Sequence, residues 1–312
     1  MQTLYVAGWV SNMENVTAIV KTFMRPEKFE LCLRSLVSAG LKKIIVSFDG
    51  PEDYLERHRR IVGKHQRGVT IRFLELPFNV GLAVARNRMI EKVNTEFILM
   101  IDDDNYVPLQ VLEMVHGLTQ LPEDIGGIAM GWLPSYNPLP QMDAWDFEIV
   151  NRILFKTWRS DKQRAIINGN AYMFPFDFIP NQVVFRRKLF DDVQWDEHYV
   201  ISREHEDFYL TCKKETDWKF GICTSMYSIH DPGGNKEYIR EYRAGEECDK
   251  SAEYFLKKWN LKGIAPQRYS DDYTSLFFDA PWQVRRNLDK NRYIRWKLET
   301  NQALPDDVFQ TR

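Results

Sequence analysis

A chain of 312 residues with 44% hydrophobic and 13% aromatic content can bury a sizeable core, as one large domain or a domain with an extension. Its 42 Lys and Arg residues against 44 Asp and Glu leave a formal charge of −2, which excludes the global basic field of a dedicated nucleic-acid binder. Four scattered cysteines, Cys32, Cys212, Cys223 and Cys248, form no C-x-x-C pair and no zinc-like spacing, so reduced thiols in a cytosolic protein are expected. Residues 1–10 lack the positive segment and full apolar core of a signal peptide. No apolar run approaches bilayer-spanning length. The expectation is a soluble, cytoplasmic protein, with attachment at a membrane surface left open.

In chain order, Val16 to Val20 reads as a first strand ending in Lys21-Thr22-Phe23. Arg25-Pro26-Glu27 opens a helix with Pro at a first-turn position, Gly40 as its stop, and Phe29, Leu33, Leu36 and Val37 as its apolar stripe. Lys43 to Phe48 is a second strand, ending in Asp49-Gly50-Pro51, and a polar helix from Tyr54 to Val62 leads to a third, Val69 to Leu76. Leu82, Ala85, Met89 and Val93 mark an amphipathic helix, and Phe97 to Ile101 a fourth strand. This alternation implies α/β architecture, with a mostly parallel sheet covered by helices on both faces. The strand ends at Thr22, Asp49 and Asp102 then converge on one crevice. Further on, Gly126 to Trp132 and Trp218 to Tyr227 read as strands, and more strands are expected between Asn168 and Phe185. The loops of 133–180 would wall an acceptor pocket. From about residue 235 the pattern turns helical, with Tyr238, Tyr242, Ala252, Phe255 and Trp259 at helical spacing and a second helical stretch over about 281–298.

The fourth strand is the chemical centre of the chain. Five apolar residues run into Asp102-Asp103-Asp104-Asn105, at the strand end where open α/β sheets bind ligands. Three clustered carboxylates call for a positive partner, and a hard divalent cation is the natural one. The alternative is an acidic turn capping the helix that starts near Pro108. Downstream, Glu204-His205-Glu206-Asp207 sits at a helix start, where carboxylates suit the helix dipole and Ser202 could act as a cap. His230 precedes a Pro-Gly-Gly turn; taken alone, a histidine so placed is more often structural than a ligand.

Taken together and in order, Thr22-Phe23-x-Arg25, the strand-end Asp49, Gly81-x-x-x-x-Arg86-Asn87, the Asp-x-Asp of residues 102–104, Phe185-Arg186-Arg187, the Glu206-Asp207 pair and the late His230 resemble the nucleotide-sugar glycosyltransferases of the GT-A fold, especially the inverting family two. The resemblance covers roughly residues 16–235. It implies a Rossmann-like GT-A catalytic domain over 1–235, with a nucleotide-binding half near 16–105 and an acceptor half near 106–235, and leaves 236–312 as a C-terminal helical extension. It further implies that Thr22, Phe23 and Arg25 line the nucleotide pocket. Asp49 would bond the base or ribose, and Arg86 the ribose or diphosphate, unless Arg86 is a solvated helix charge. Asp102 would face ribose and metal, Asp104 would ligate the metal directly, and His230 would be the third ligand. Asp103 stays ambiguous between two registers of the motif. Carboxylates and an imidazole around a diphosphate suit Mn²⁺, with Mg²⁺ as the alternative.

The implied reaction moves a single hexose-type sugar from a nucleoside-diphosphate sugar, UDP being favoured, to an acceptor hydroxyl in glycan or polysaccharide biosynthesis. The metal would neutralise the leaving diphosphate. Asp207 is the first choice for the base that takes the acceptor proton and Glu206 the second, which favours inversion. No Gln-x-x-Arg-Trp motif of processive synthases is present, which argues for transfer of one sugar. Two other readings stand beside this one: a sugar-nucleotide pyrophosphorylase or other nucleotidyltransferase, disfavoured by the absence of glycine in residues 21–25, and a non-catalytic carbohydrate- or nucleotide-binding module. Outside the resemblance, Arg285, Arg286, Lys290, Arg292, Arg295 and Lys297 interleave with Trp282, Tyr293 and Trp296. Such a basic aromatic helix can sit on an anionic membrane or a protein partner, or simply pack on the catalytic domain.

Overall fold

The computed structural model describes residues 15–136, 140–159, 161–243 and 245–265. The stretch over 281–298 lies outside these residues. Among the described residues, no helix is long and apolar enough to cross a membrane.

The N-terminal half of the sheet follows its hydrophobic pattern. Strands β1 (Val16–Thr22), β2 (Lys43–Phe48), β3 (Thr70–Glu75) and β4 (Phe97–Asp102) are mutually parallel in the order β3-β2-β1-β4. Helices α1 (Pro26–Ser38), α2 (Glu52–His65) and α3 (Leu82–Ile90) make the crossovers. Successive strand residues point to opposite faces. Ala18, Val20, Leu99 and Ile101 join one apolar core with Phe29 and Leu33 of α1. Ile19, Ile98 and Met100 join the other, with Ala83 and Met89 of α3. Burial on both faces is why β4 reads as an uninterrupted apolar run.

Beyond β4 the sheet becomes mixed. After a two-residue strand, β5 (Asn105–Tyr106), comes helix α4 (Glu113–Gln120), so the helix expected near Pro108 begins five residues later. Strand β6 (Ile125–Pro134) follows. Next is a hairpin of β7 (Asp146–Val150) and β8 (Ile153–Thr157), then a second of β9 (Gln163–Ile167) and β10 (Asn170–Phe176). Both turns use two left-handed residues: Asn151 and Arg152 at φ 50° and 67°, Asn168 and Gly169 at φ 51° and 79°. Asn-Gly is a strong hairpin signal, because both positions tolerate positive φ and the turn's twist matches the strands. After β11 (Val183–Arg186) come α5 (Leu189–Asp192), α6 (Glu204–Glu215) and β12 (Lys219–His230). The large sheet runs β3-β2-β1-β4-β11-β6-β12-β10-β9, with β5 paired to β12 off this path.

The chain then packs back onto the sheet. A π-helical turn (Tyr238–Arg243), helix α7 (Glu246–Lys258) and strand β13 (Gly263–Ile264) follow, and β13 pairs with β8 in a separate three-stranded sheet. The described residues after 235 thus comprise a π-helical turn, one α-helix and a short strand, and Tyr238 and Tyr242 of the turn line the cavity at the strand ends. All four cysteines are free thiols, and Cys32 is buried on α1.

Gly81 ties the two halves together. It precedes α3 at φ 92°, ψ 175°, and a Cβ there would stand 2.4 Å from Val200 Cα. The Leu82 amide bonds Val200 O at 3.0 Å. Only glycine adopts this backbone region readily, and other residues pay roughly 1–3 kcal/mol for it before any clash. Gly81→Ala should lower stability by at least about 2 kcal/mol, measured by urea denaturation; an unchanged midpoint would show that the 200 segment moves freely from α3.

Candidate active site

The C-terminal ends of β1 and β4 open into a cavity of about 460 Å³, within the size range of small-ligand pockets. Its floor carries Asp102, Asp103 and Asp104, and its walls Lys21, Phe23 and Arg25. Arg25 forks between Asp103 and Asp104 in a buried ion-paired cluster. Burial opposes its charge, but the two carboxylates hold the guanidinium above its ordinary value. Asp104 is likewise opposed by burial, yet His230 and Arg25 hold it down to about 2. For Asp103 burial wins and pushes its pKa up, against the pull of Arg25.

His230 reaches this cluster through strand pairing. β5 pairs antiparallel with the end of β12, placing Asn105 opposite His230. The Asp231 amide bonds Asp104 O at 2.8 Å. His230 Nε2 then stands 3.6 Å from Asp104 Oδ2, with Trp132 edge-on at 4.9 Å. Asp102 accepts from Asn181 at 2.9 Å and from Arg86 at 3.4 Å. Among the described residues, no group of three or more His, Cys, Asp and Glu is gathered as a preformed metal cage.

Several residues expected in the pocket lie behind its wall. Thr22 is buried, bonding Asp103 Oδ2 at 2.9 Å and His58 Nε2 at 3.1 Å. Asp49 is buried, paired with Lys21 at 2.8 Å and accepting the Gly81 amide at 3.1 Å. Arg86 is 1% exposed, so it is no solvated helix charge. Its guanidinium lies 4.5 Å over the Trp195 ring, with Asp102 on one side and Glu204 4.0 Å away on the other. Its neighbour Asn87 clamps the Trp195 backbone through both amide atoms, at 2.9 and 3.1 Å. The Arg-Asn pair thus binds α3 to the chain leading into α6.

A second cavity of about 330 Å³ adjoins the first, bordered by Trp132, Lys156 and Phe178. Asp102, Asn181, His205, Glu206 and His230 line both. The chain enters α6 through Ser202 and Arg203, both left-handed at φ 68° and 65°, and no side chain caps the helix. Strain of this kind concentrates at functional sites. The entry sets Glu206 at the shared wall, where Lys156 at 3.0 Å and Arg203 at 3.2 Å offset the upward push of burial and hold its pKa at about 2.

Asp207 lines neither cavity. It is 1% exposed, and its oxygens receive Trp259 at 2.7 Å, Lys258 at 2.8 Å and Tyr199 at 3.2 Å. Burial raises its pKa against the pull of Lys258. The carboxylate expected first as the base instead anchors α7, one helical step from the face that looks into the pocket.

Other pocket residues are not marked by any motif of the sequence. Tyr238 and Tyr242 line the first cavity beside Phe23 and Arg25. Their four-residue spacing was legible as helical, but not the place where that turn lands. His205 was visible only as part of an acidic cluster.

This sheet order, with a polar crevice at the β1 and β4 ends, is the GT-A nucleotide-binding architecture. The glycosyl transferase family 2 model matches residues 17–194, and the chain belongs to that family. Over 133 residues it is 29% identical to beta-1,4 N-acetylgalactosaminyltransferase 2 of Mus musculus, covering 41% of this chain and 24% of the mouse protein. It thus spans about a quarter of that relative's length. Among solved structures, S. aureus TarS 1-349 superposes with a TM-score of 0.51 at 14% identity, covering 91% of this chain and 73% of that one. Its complex with UDP-GlcNAc superposes with a TM-score of 0.51 at 14% identity, covering 95% of both chains. At such identity the likeness shows the fold.

His58 is fully buried, its ring 4.7 Å from Phe48 and 5.4 Å from Phe29, and burial lowers its pKa to about 4. The unfolded imidazole titrates near 6.5, so the unfolded state binds the proton more readily. Stability is then intact above about pH 6.5 and falls as pH drops towards 4. Between pH 7.5 and 4.5 this group should remove about 2–3 kcal/mol. Urea titrations of wild type and His58→Phe should show that loss in the wild type and a smaller one in the variant; equal losses would mean that other groups carry the acid sensitivity.

Proposed function

We propose that the protein transfers a single sugar from a nucleoside-diphosphate sugar to an acceptor hydroxyl, with inversion at the anomeric carbon, in the assembly of a glycan or polysaccharide. The observation that carries this reading is the pair of adjoining cavities, one floored by Asp102–Asp104 and one walled by Trp132 and Phe178, that share Asp102, Asn181, His205, Glu206 and His230. A donor in the first cavity and an acceptor in the second would meet at that shared wall. Phe23, with Tyr242 5.0 Å away at its edge, offers apolar faces for a nucleobase. Lys21 and Arg25 supply positive charge beside a diphosphate.

The donor set fits a divalent cation. Asp104 and His230 lie together, and Asp102 lines the same cavity, a mixture of carboxylate and imidazole that suits Mn²⁺, or Mg²⁺ as the alternative. His230 Nδ1 has no hydrogen-bond partner, so hydrogen bonding at that nitrogen does not fix its ring. When bound, the metal would neutralise the charge that develops on the leaving diphosphate. The chain's own part is positional. Asn181 orients Asp102, Asn105 orients Asp104, and Arg25 offsets the carboxylates before any ligand arrives.

A UDP-N-acetylhexosamine is the favoured donor. Support comes from the neighbour solved with UDP-GlcNAc and from the mouse relative named for N-acetylgalactosaminyl transfer. A role for 281–298 on a membrane or partner surface is proposed from its basic and aromatic residues alone.

The test is UDP release from UDP-GlcNAc, UDP-GalNAc, UDP-glucose and GDP-mannose, with Mn²⁺, Mg²⁺ or EDTA. Release with Mn²⁺ is expected from at least one UDP-sugar, falling at least tenfold in EDTA. Asp104→Asn should lower kcat/KM by roughly 10²–10³-fold and also lower the melting temperature, because Arg25 loses one of its two buried carboxylate partners. No nucleotide release from any donor, together with no thermal shift on adding UDP and Mn²⁺, would sink the proposal.

A further inference from the structure

The shared wall holds a second pair of groups, and its geometry differs from that of Glu206. His205 Nδ1 lies 2.8 Å from Glu204 Oε1. An ionised carboxylate only accepts, so this close ion-pair contact favours the neutral tautomer that carries its proton on Nδ1. That leaves Nε2 with a bare lone pair, a buried atom with no hydrogen-bond partner, which an acceptor hydroxyl must reach from the cavity side of the ring. The ring itself lines both cavities and packs edge-on against Trp195 at 5.5 Å. Glu204 is 3% exposed, with Arg86 behind it. Burial works to raise the Glu204 pKa, but His205 and Arg86 hold it below the ordinary range, so it stays an anion.

We propose that His205 is the general base of the transfer, with Glu204 as the residue that positions it; this rests on the glycosyltransferase reading above. The acceptor oxygen bonds the anomeric carbon as the carbon–oxygen bond to the diphosphate breaks. The bonding electron pair leaves with the diphosphate oxygen. The hydroxyl proton passes to His205 Nε2, and the imidazolium so formed lies against the Glu204 carboxylate until the proton is lost to water.

The competing groups are disqualified by their partners. Glu206 is held by Lys156 and Arg203, and a carboxylate that weakly basic is far from the operating pH that favours proton transfer. Asp207 is sealed against Trp259, Lys258 and Tyr199. Other charges surround the His205 ring. Glu206 and Arg203 flank it in its own segment and Lys156 comes from β8, while Asp102 and His230 line the same two cavities. Arg86 from α3 acts through Glu204.

The experiment measures UDP release with Mn²⁺ from UDP-GlcNAc and UDP-GalNAc, water serving as acceptor, for wild type, His205→Gln, Glu204→Gln and Glu206→Gln. His205→Gln should lower kcat about 10²–10⁴-fold with donor KM little changed, and should abolish the acidic limb of the pH profile. Glu204→Gln should lower kcat by less than His205→Gln does and should weaken the Nδ1–H preference in the nitrogen-15 spectrum. Glu206→Gln should still show an acidic limb, which His205→Gln does not. Nitrogen-15 NMR of the wild type at pH 8 should find the proton of His205 on Nδ1. An active wild type whose His205→Gln variant stays within about threefold, or an Nε2–H tautomer, overturns the base assignment and leaves the transferase reading standing. A wild type that releases UDP from neither donor overturns both.

Discussion

Three carboxylates at the end of one buried strand repel one another, and the site depends on how that repulsion is relieved. Arg25 does most of it, forking between Asp103 and Asp104 from the first turn beyond β1. Because β1 and β4 are neighbours in register, with Lys21 opposite Asp102, the cation is supplied by the adjacent strand end. Buried charge of this kind is stable only when paired and hydrogen-bonded, and Thr22, Asn105 and Asn181 complete the bonding. Each acid thereby has its own surroundings. Asp102 faces both cavities, Asp104 faces His230, and Asp103 turns back towards Thr22.

A second ion-paired line joins the acidic strand end to the wall that the two cavities share. Asp102, Arg86 and Glu204 form a row that runs from β4 through α3 to the first residue of α6. Gly81 lets α3 and the 200 segment touch backbone to backbone, and Asn87 grips Trp195 beside it. The motif from Gly81 to Asn87 is therefore a clamp. It fixes where α6 begins and so which side chains of its first turn reach the cavities.

That clamp explains where the reading of the sequence and the structure part. Glu206 and Asp207 are adjacent in sequence, but a helix separates neighbours by about 100°. One faces Lys156 at the pocket, and the other faces Lys258 and Trp259 in the interior. A residue list without the helix phase makes Asp207 look as available as Glu206. The hairpin at Asn168-Gly169 obeys a local rule, an Asn-Gly pair between strand-forming segments, although strands were expected only from Asn168 onward and loops before it. The two-residue strand β5 was not, because its reason for existing is a partner 125 residues away in β12.

The sequence by itself determined the parallel half of the sheet, the chain order of its strands and helices, and the acidic strand end at its centre. Those features follow from local periodicity and from the requirement that buried strands be apolar on both faces. It also named His230 and the late Tyr238 and Tyr242, without saying where they land. Tertiary structure alone decided that Arg25 is the counter-charge of the cluster, that Arg86 and Asp49 stand behind the pocket, and that Asp207 is an anchor while His205 looks into both cavities. These are questions of which side of a helix faces the crevice and of which distant strand pairs with which. Both are set by packing between segments far apart in the chain, and local pattern carries no record of that.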